Sequence, residues 1–327
     1  MPILKIPMDN YQIALRDTVE FARNFACIPP GAVSPFLGDW QKVQQCFDHS
    51  RNNPFDSETM LFDPDFNIDD KYNHYMHIDY GPKINATGIA CCHVPGFKKV
   101  IVSDEKSKQT MEVDLPIVYY DFLGKIFAPK DQIVELPDIR ELVIYELAKR
   151  GGQINLISMD GYNSSETLSI LNREGFPSDV LSIDHTSAKL IVDWSRPNKV
   201  RRVSTSGNYA AAWQTFKDLI MDGRINMPYI QDFEVEMKHA ERRIKNNRIN
   251  VTCQSSVLAL DLMEAMAGAA FNAINNEWET PLAEEEIINA RDKEDAHFYD
   301  IFNRSESFFE KQTDDRLFYG DGEDKWI

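Results

Sequence analysis

The sequence has little with which to bind metal through sulfur, cross a bilayer or hold ATP. Its five cysteines (Cys27, Cys46, Cys91, Cys92 and Cys253) form no Cys-x-x-Cys pair and no disulfide ladder. That argues against a zinc knuckle and against a stapled secreted fold. No apolar run approaches the roughly 18 residues of a membrane helix. The opening MPILKIPMDN lacks the basic region and apolar core of a signal peptide, so a cytosolic chain is expected. No Gly-x-x-x-x-Gly-Lys-Ser/Thr occurs, so no phosphate-cradling loop for ATP is expected. Internal repeats and low-complexity blocks are missing too. Basic residues are scarce, 35 Lys and Arg against 52 Asp and Glu, a net charge of −17. The imbalance is uneven: Glu277 to Ile327 holds 16 acidic and 6 basic residues, a net of −10.

What is present suffices for a core. Of 327 residues 43% are hydrophobic and 11% aromatic, which fits one large domain with extensions. Residues 1–70 alternate short helical patterns (Tyr11–Ala26, Gly38–His49) with Pro-rich loops, and read as an N-terminal extension or a linker from a preceding domain. Residues 71–276 read as one α/β domain. HYMHIDYG is a strand, TGIACCHV its hairpin partner and PIVYYDFLGKIFA a third strand. IRELVIYELAKRGG is an amphipathic helix closed by glycines, INLISMD a strand, Ser164–Arg173 a helix and VLSID a strand. Three further helices are predicted over Asn208–Asp222, Asp232–Lys245 and Ala259–Asn275. Antiparallel strands first and strand–helix–strand afterwards predict a mixed sheet flanked by helices. Residues 277–327 read as an acidic tail. Cys91 and Cys92, in the apolar run GIACCHV, are predicted core thiols.

Three carboxylates stand where chemistry would put them. Asp79 closes a strand in HIDYG and Asp160 another in LISMDGYNS, while Asp261 lies in the helix LALDLMEAMAGAAF with Glu264 one turn on. An acid at a strand end is fixed by stiff backbone yet reaches the sheet's edge. Mg²⁺ takes oxygen ligands of this kind and keeps waters for a phosphate. Two ions about 4 Å apart can activate a water and stabilise the leaving oxygen of a phosphodiester. Turn formation and helix capping explain an Asp after a strand equally well, above all Asp160 before Gly161.

Four motifs in order resemble the nuclease domain of the large terminase subunit of tailed phages. They are HIDYGPKINATGIACCHV, MDGYNSSETLSILNREG, LSID followed by a helix and DGRINMP, and Asp261-Leu-Met-Glu-Ala-Met-Ala-Gly268. The resemblance covers roughly residues 70–276. It implies a ribonuclease H-like fold and two-metal endonucleolytic cleavage of double-stranded DNA during genome packaging. It also implies an ATPase motor half, a small terminase subunit and a capsid portal as partners, in the cytoplasm of the infected host cell. Asp79, Asp160 and Asp261 match the family's ligands for two Mg²⁺ or Mn²⁺ ions, with Glu264 as an accessory. The sequence departs from the pattern in two places. Asn85 stands where many members have a further acid, and CQSSVLAL replaces the usual His and Ser-Lys ahead of the last Asp. An inactive ribonuclease H-like module that clamps DNA or docks on a portal is the alternative, and a junction resolvase or integrase a third.

Duplex DNA needs positive charge to recruit it. Two basic stretches answer: Lys199, Arg201 and Arg202 on the second arm of a hairpin predicted over 188–206, and Arg242, Arg243 and Lys245 as second choice. His74, His77 and His93 gather near the first hairpin, where a hydrogen-bonded structural role is favoured over ligation. Tyr80 and Tyr162, each near a proposed ligand, are read as packing residues.

Overall fold

A computed structural model describes residues 35–277, apart from 83–84, 104–109, 152, 162–163, 187, 193–199, 205–209, 246–247 and 254–258. The described residues fall in one compact unit. In chain order they form α1 (Trp40–Gln45), the short strands β1 (Phe47–Asp48), β2 (Phe55–Asp56) and β3 (Leu61–Phe62), and the long strands β4 (Asn73–Asp79), β5 (Thr87–Ser103) and β6 (Thr110–Ile126). Next come α2 (Leu136–Glu141), β7 (Gln153–Met159), α3 (Ser165–Arg173) and β8 (Ser178–Val180). The series ends with β9 (Ala188–Val192), β10 (Val200–Ser204), α4 (Ala211–Met221), β11 (Ile225–Pro228), α5 (Gln231–His239), β12 (Ala240–Lys245), β13 (Arg248–Cys253) and α6 (Asp261–Glu277).

Seven strands make one mixed sheet in the order β1-β11-β6-β5-β4-β7-β8. β4, β5 and β6 form an antiparallel meander, while β7 joins β4 in parallel and β8 joins β7 in parallel. This is the mixed sheet, antiparallel strands first and strand–helix–strand afterwards, that the sequence predicted. Both faces of the sheet are covered, which is why β4 is buried almost from end to end and shows no polar alternation. Its side chains divide with the pleat. Met76 and Ile78 join Ile89, Cys91, Phe122 and Ile157 in one core, and Tyr75 joins Ala90, Cys92 and Tyr120 under α4 and α6 in the other. Residues 35–69 wrap onto this body: β1 extends the sheet edge beside β11, with Phe36, Phe47, Phe55 and Phe62 buried.

Several predicted elements change. The helix expected over Asp232–Lys245 ends at His239, and β12 pairs with β13 as a hairpin. The β-branched run Ile249, Val251 and Thr252 supplies that strand's partner, and pairing outweighs the helical spacing of the charges. β5 and β6 each run to 17 residues: β5 continues past the predicted TGIACCHV to Ser103, and β6 begins at Thr110, ahead of the predicted PIVYYDFLGKIFA, and ends at Ile126. The helix predicted over 139–152 starts at Leu136 and loosens into a π turn over Leu142–Leu147 before Gly151, whose φ of 70° ends it. The hairpin predicted over 188–206 is present as β9 and β10. The helix predicted over Tyr11–Ala26 and the acidic tail lie outside the described residues.

Candidate active site

The sheet's registers bring the predicted acids together. Ile78 pairs with Met159 across the parallel strands β4 and β7, so Asp79 and Asp160 follow one residue on, side by side at the two carboxyl ends. Parallel neighbours are about 4.8 Å apart. Asp79 faces Gly88 of β5, and Gly88 faces Lys125 of β6. One row across four strands thus reads Asp160, Asp79, Gly88, Lys125. In open α/β sheets, the edge beyond the carboxyl ends of parallel strands is where ligands bind.

The helix α6 is laid over that row at its first turn. A Cβ on Gly88 would stand 2.0 Å from the Asp261 carbonyl oxygen, so the glycine is what lets the helix start touch the strand. Asp261 is 4% exposed, and its Oδ2 accepts from the Ala86 N–H at 3.0 Å. Glu264 follows one turn on, on the same helix. Glu236, at 1% exposure on α5, accepts the Met263 N–H at 2.9 Å and so caps the helix start; it is ion-paired to Lys125. The sequence placed Asp261 inside a helix over Ala259–Asn275. The structure makes it the first helical residue, where an acid suits the positive end of the helix dipole.

Glu236 and one further acid were not singled out by the sequence reading. Asp184, in the single turn Ile183–His185 after β8, accepts the Trp213 Nε1–H at 2.9 Å. Its signal was available: VLSID repeats the apolar-then-Asp texture of HID and SMD. The hydrogen bond from a fully buried tryptophan holds it toward the other acids, and its charge is felt by Asp79 and by Glu264. Asn85 is exposed on the loop between β4 and β5 and brings no charge.

These acids repel one another. Burial, then the charges of Asp261 and Asp160, push Asp79 up to about 8. Burial and the charges of Asp79, Asp184 and Asp261 hold Glu264 well above the usual carboxylate range. Asp261 is raised by burial, against the pull of Lys125 and the Ala86 N–H, and Glu236 is raised to about 7 by burial against Lys125. A carboxyl with a folded pKa above its unfolded one keeps its proton longer in the folded state, so folding weakens as pH rises between the two values. Buried His77, pushed down to about 4, acts in the opposite sense only below its ordinary value of 6.5. Metal-free protein should therefore melt higher at pH 6.5 than at pH 8, and saturating Mg²⁺ should shrink the difference; calorimetry at both pH values checks this.

Hard oxygen donors whose ionisation is suppressed by their neighbours fit a divalent cation, which relieves the repulsion when bound. No three of these carboxylates place oxygens within 4.8 Å of one another, so a bound ion has to draw them inward. His77 shares the strand face of Asp79 but does not join the acids. Its Nδ1 lies 2.7 Å from Ser158 Oγ, which also accepts from Asn272, while Nε2 has no hydrogen-bond partner. Tyr80 packs, with its hydroxyl donated to the Val134 carbonyl; Tyr162 lies outside the described residues. Of the basic residues, Lys199 also lies outside them, and Arg201 and Arg202 sit on β10. Arg242, Arg243 and Lys245 lie on β12, where Arg243 is exposed and pairs with Glu241 and Arg242 is half-buried.

Fold and site together are a mixed α/β sheet flanked by helices, with Asp79 and Asp160 at its edge and Asp261 and Glu264 on the helix laid over them. No family model and no curated protein matches the sequence. Four solved chains match the structure. The large terminase nuclease from thermophilic phage G20c with bound magnesium has 9% identity and a TM-score of 0.42, over 74% of this chain and 98% of that one. The HK97 bacteriophage large terminase has 11% identity and a TM-score of 0.42, over 82% of this chain and 51% of that one. The Thermus phage P74-26 large terminase nuclease domain has 9% identity and a TM-score of 0.40, over 70% of this chain and 92% of that one.

Proposed function

We propose that this chain is a divalent-metal-dependent endonuclease that hydrolyses double-stranded DNA, as the nuclease part of a phage packaging terminase. The observation that carries the reading is Asp79 and Asp160 side by side at adjacent parallel strand ends, with Asp261 and Glu264 over them on one helix. Asp79, Asp160 and Asp261 would hold two Mg²⁺ or Mn²⁺ ions, with Glu264 and Asp184 as accessory groups. Bound there, the ions would supply an activated water and a counter-charge for the leaving oxygen of the phosphodiester.

The chain's own residues prepare the site. The strand ends fix Asp79 and Asp160, and the Ala86 N–H turns the Asp261 carboxylate toward them. Glu236, held by Lys125, keeps the helix start in place. His77, pinned by Ser158 and covered by α6, is pushed too far down to hold a proton at neutral pH. In this reading water would be the attacking group. Asn85 in place of a further acid implies weak second-ion binding, since affinity follows ligand charge, and so favours Mn²⁺ or raised Mg²⁺. Motor half, small terminase subunit and portal are the partners this reading carries, in the cytoplasm of an infected cell.

The test is nicking of supercoiled plasmid with Mg²⁺, with Mn²⁺ and with EDTA. Cleavage in both metals and none in EDTA is expected. Cleavage that survives EDTA sinks the reading. Tight duplex binding without cleavage in any metal establishes the inactive DNA clamp instead.

The duplex is expected to cross the β9–β10 hairpin, with Lys199, Arg201 and Arg202 on phosphates and Arg242, Arg243 and Lys245 as a second patch. Removing one cation from a phosphate flattens the log–log salt dependence of binding by about one unit. Replacing Arg201 and Arg202 with Ala should thus remove about two units of slope for any duplex sequence. An unchanged slope would mean that the hairpin faces away from DNA.

A further inference from the structure

Five residues back along β4 from the acids, roughly 16 Å at strand rise, a second group of donors is buried. His74 and His93 are cross-strand partners on β4 and β5. Asp121 comes from β6, where the register slips between Cys91 and Cys92 and leaves it without a partner opposite. A bulge re-aims the side chain it carries. Here it sets the Asp121 carboxylate against both rings, Oδ2 at 2.8 Å from His74 Nδ1 and Oδ1 at 2.8 Å from His93 Nδ1. The three are 0%, 6% and 8% exposed. One donor atom from each lies within 4.8 Å of the other two, and no other such triplet occurs among the described residues.

The hydrogen-bond count at His74 leaves a positive charge to be found. Its Nε2 lies 2.8 Å from the Asp69 carbonyl oxygen, which only accepts, so Nε2 carries a hydrogen. A neutral ring then turns the Nδ1 lone pair on a carboxylate oxygen 2.8 Å away, two acceptors face to face. Either a second proton or a cation has to lie there. An imidazole whose far N–H is anchored on a backbone carbonyl is also the outer-shell pattern of a metal-ligating histidine.

We propose that His74 Nδ1, His93 Nδ1 and the Asp121 carboxylate form a buried site for one transition-metal ion of the zinc class, separate from the hard-cation site at the strand ends. Two imidazoles and one carboxylate suit Zn²⁺ or Co²⁺ and not Mg²⁺. Tyr72 stacks on His93 at 4.5 Å and closes one side. Burial keeps the neighbouring Cys91 and Cys92 thiols protonated, so the ligand set carries a single negative charge. Arg51, 4.0 Å over the Tyr119 ring and bonded to the Tyr120 carbonyl, opposes any added positive charge and lowers the affinity. An ion here would tie together three neighbouring strands, β4, β5 and β6.

The test uses the full chain, stripped with chelator and dialysed against Zn²⁺ or Co²⁺ in excess Mg²⁺. One Zn²⁺ retained per chain, a visible Co²⁺ absorption band and a raised melting temperature with Zn²⁺ are expected. The same retention is expected for Asp160→Ala, and its disappearance for His93→Gln. No retained zinc in the unmodified chain, or equal retention by folded His93→Gln, overturns the site. Should His93→Gln fail to fold, ¹⁵N resonances of the unmodified chain decide: zinc is expected to shift Nδ1 of both histidines. A His74 protonated on both nitrogens and unmoved by zinc would establish a buried imidazolium instead.

Discussion

Asp160→Ala should cut metal-dependent cleavage of duplex DNA about a thousand-fold, a loss of about 4 kcal/mol of transition-state stabilisation, while the protein stays folded. Asp160 ends β7 on the loop side, and the hydrogen bond it accepts from the Gly161 N–H stays within its own turn. Removing its charge takes away part of what raises Asp79 and Glu264, so metal-free stability should hold or increase. Single-turnover cleavage at saturating Mn²⁺, alongside thermal melting, separates the two effects. Near-full activity in a folded Asp160→Ala protein would remove it from the ligand set. The same experiment on Asp261→Ala and Glu264→Ala ranks the helix ligands: the larger loss is expected at Asp261. A larger loss at Glu264 would exchange their roles.

Gly88→Ala should damage fold and activity together. The added methyl would meet the Asp261 carbonyl oxygen at 2.0 Å, its carbon at 2.5 Å and the Leu262 nitrogen at 3.0 Å, all backbone atoms that no rotamer change can move. Overpacking of this kind costs about 1–3 kcal/mol. The helix start has to lift, and an ångström of misplacement at a reacting centre can cost about a hundred-fold in rate. Gly96→Ala is the control, because a Cβ there meets nothing within 4 Å. Denaturant melts and cleavage rates of both variants check the pair. Equal behaviour would show that α6 is not seated on β5 as described.

Much of this site was legible because strand ends announce themselves. Asp79 and Asp160 each close an apolar run, and the Gly81 of the D-x-G motif has a physical reason: a Cβ there would stand 2.2 Å from the Ala86 carbonyl oxygen, inside a turn that returns the chain to β5. The core thiols Cys91 and Cys92 followed from the same apolar texture and are fully buried. Interactions distant in sequence were not legible. Glu236 reads as one acid among several on α5, and only the folded chain shows it capping Met263 and pairing with Lys125. Asp121 looks like a polar interruption of a strand until the bulge turns it inward. Arg242 and Arg243 kept helical spacing with their neighbours, yet pairing of Ile244 with Ile249 and of Arg242 with Val251 decided for strand. The basic arm remains a reading of charge clustering alone.

α6 is held on the sheet at both ends, on β5 at its start and on β4 at its finish. At its start Asp261 sits over Gly88, opposite Asp79; at its finish Glu277 accepts from Asn73 Nδ2 at 2.7 Å and from the Tyr75 hydroxyl. Seventeen helical residues span about 25 Å and seven strand residues about 23 Å, so the two elements run nearly the same length between shared anchors. Asp79 and Asp261 are consequently a fixed frame. Asp160 and Asp184 stand on the other side, just after β7 and the three-residue edge strand β8. One side of the acid cluster is thus held between a strand and a helix, and the other rests on short turns.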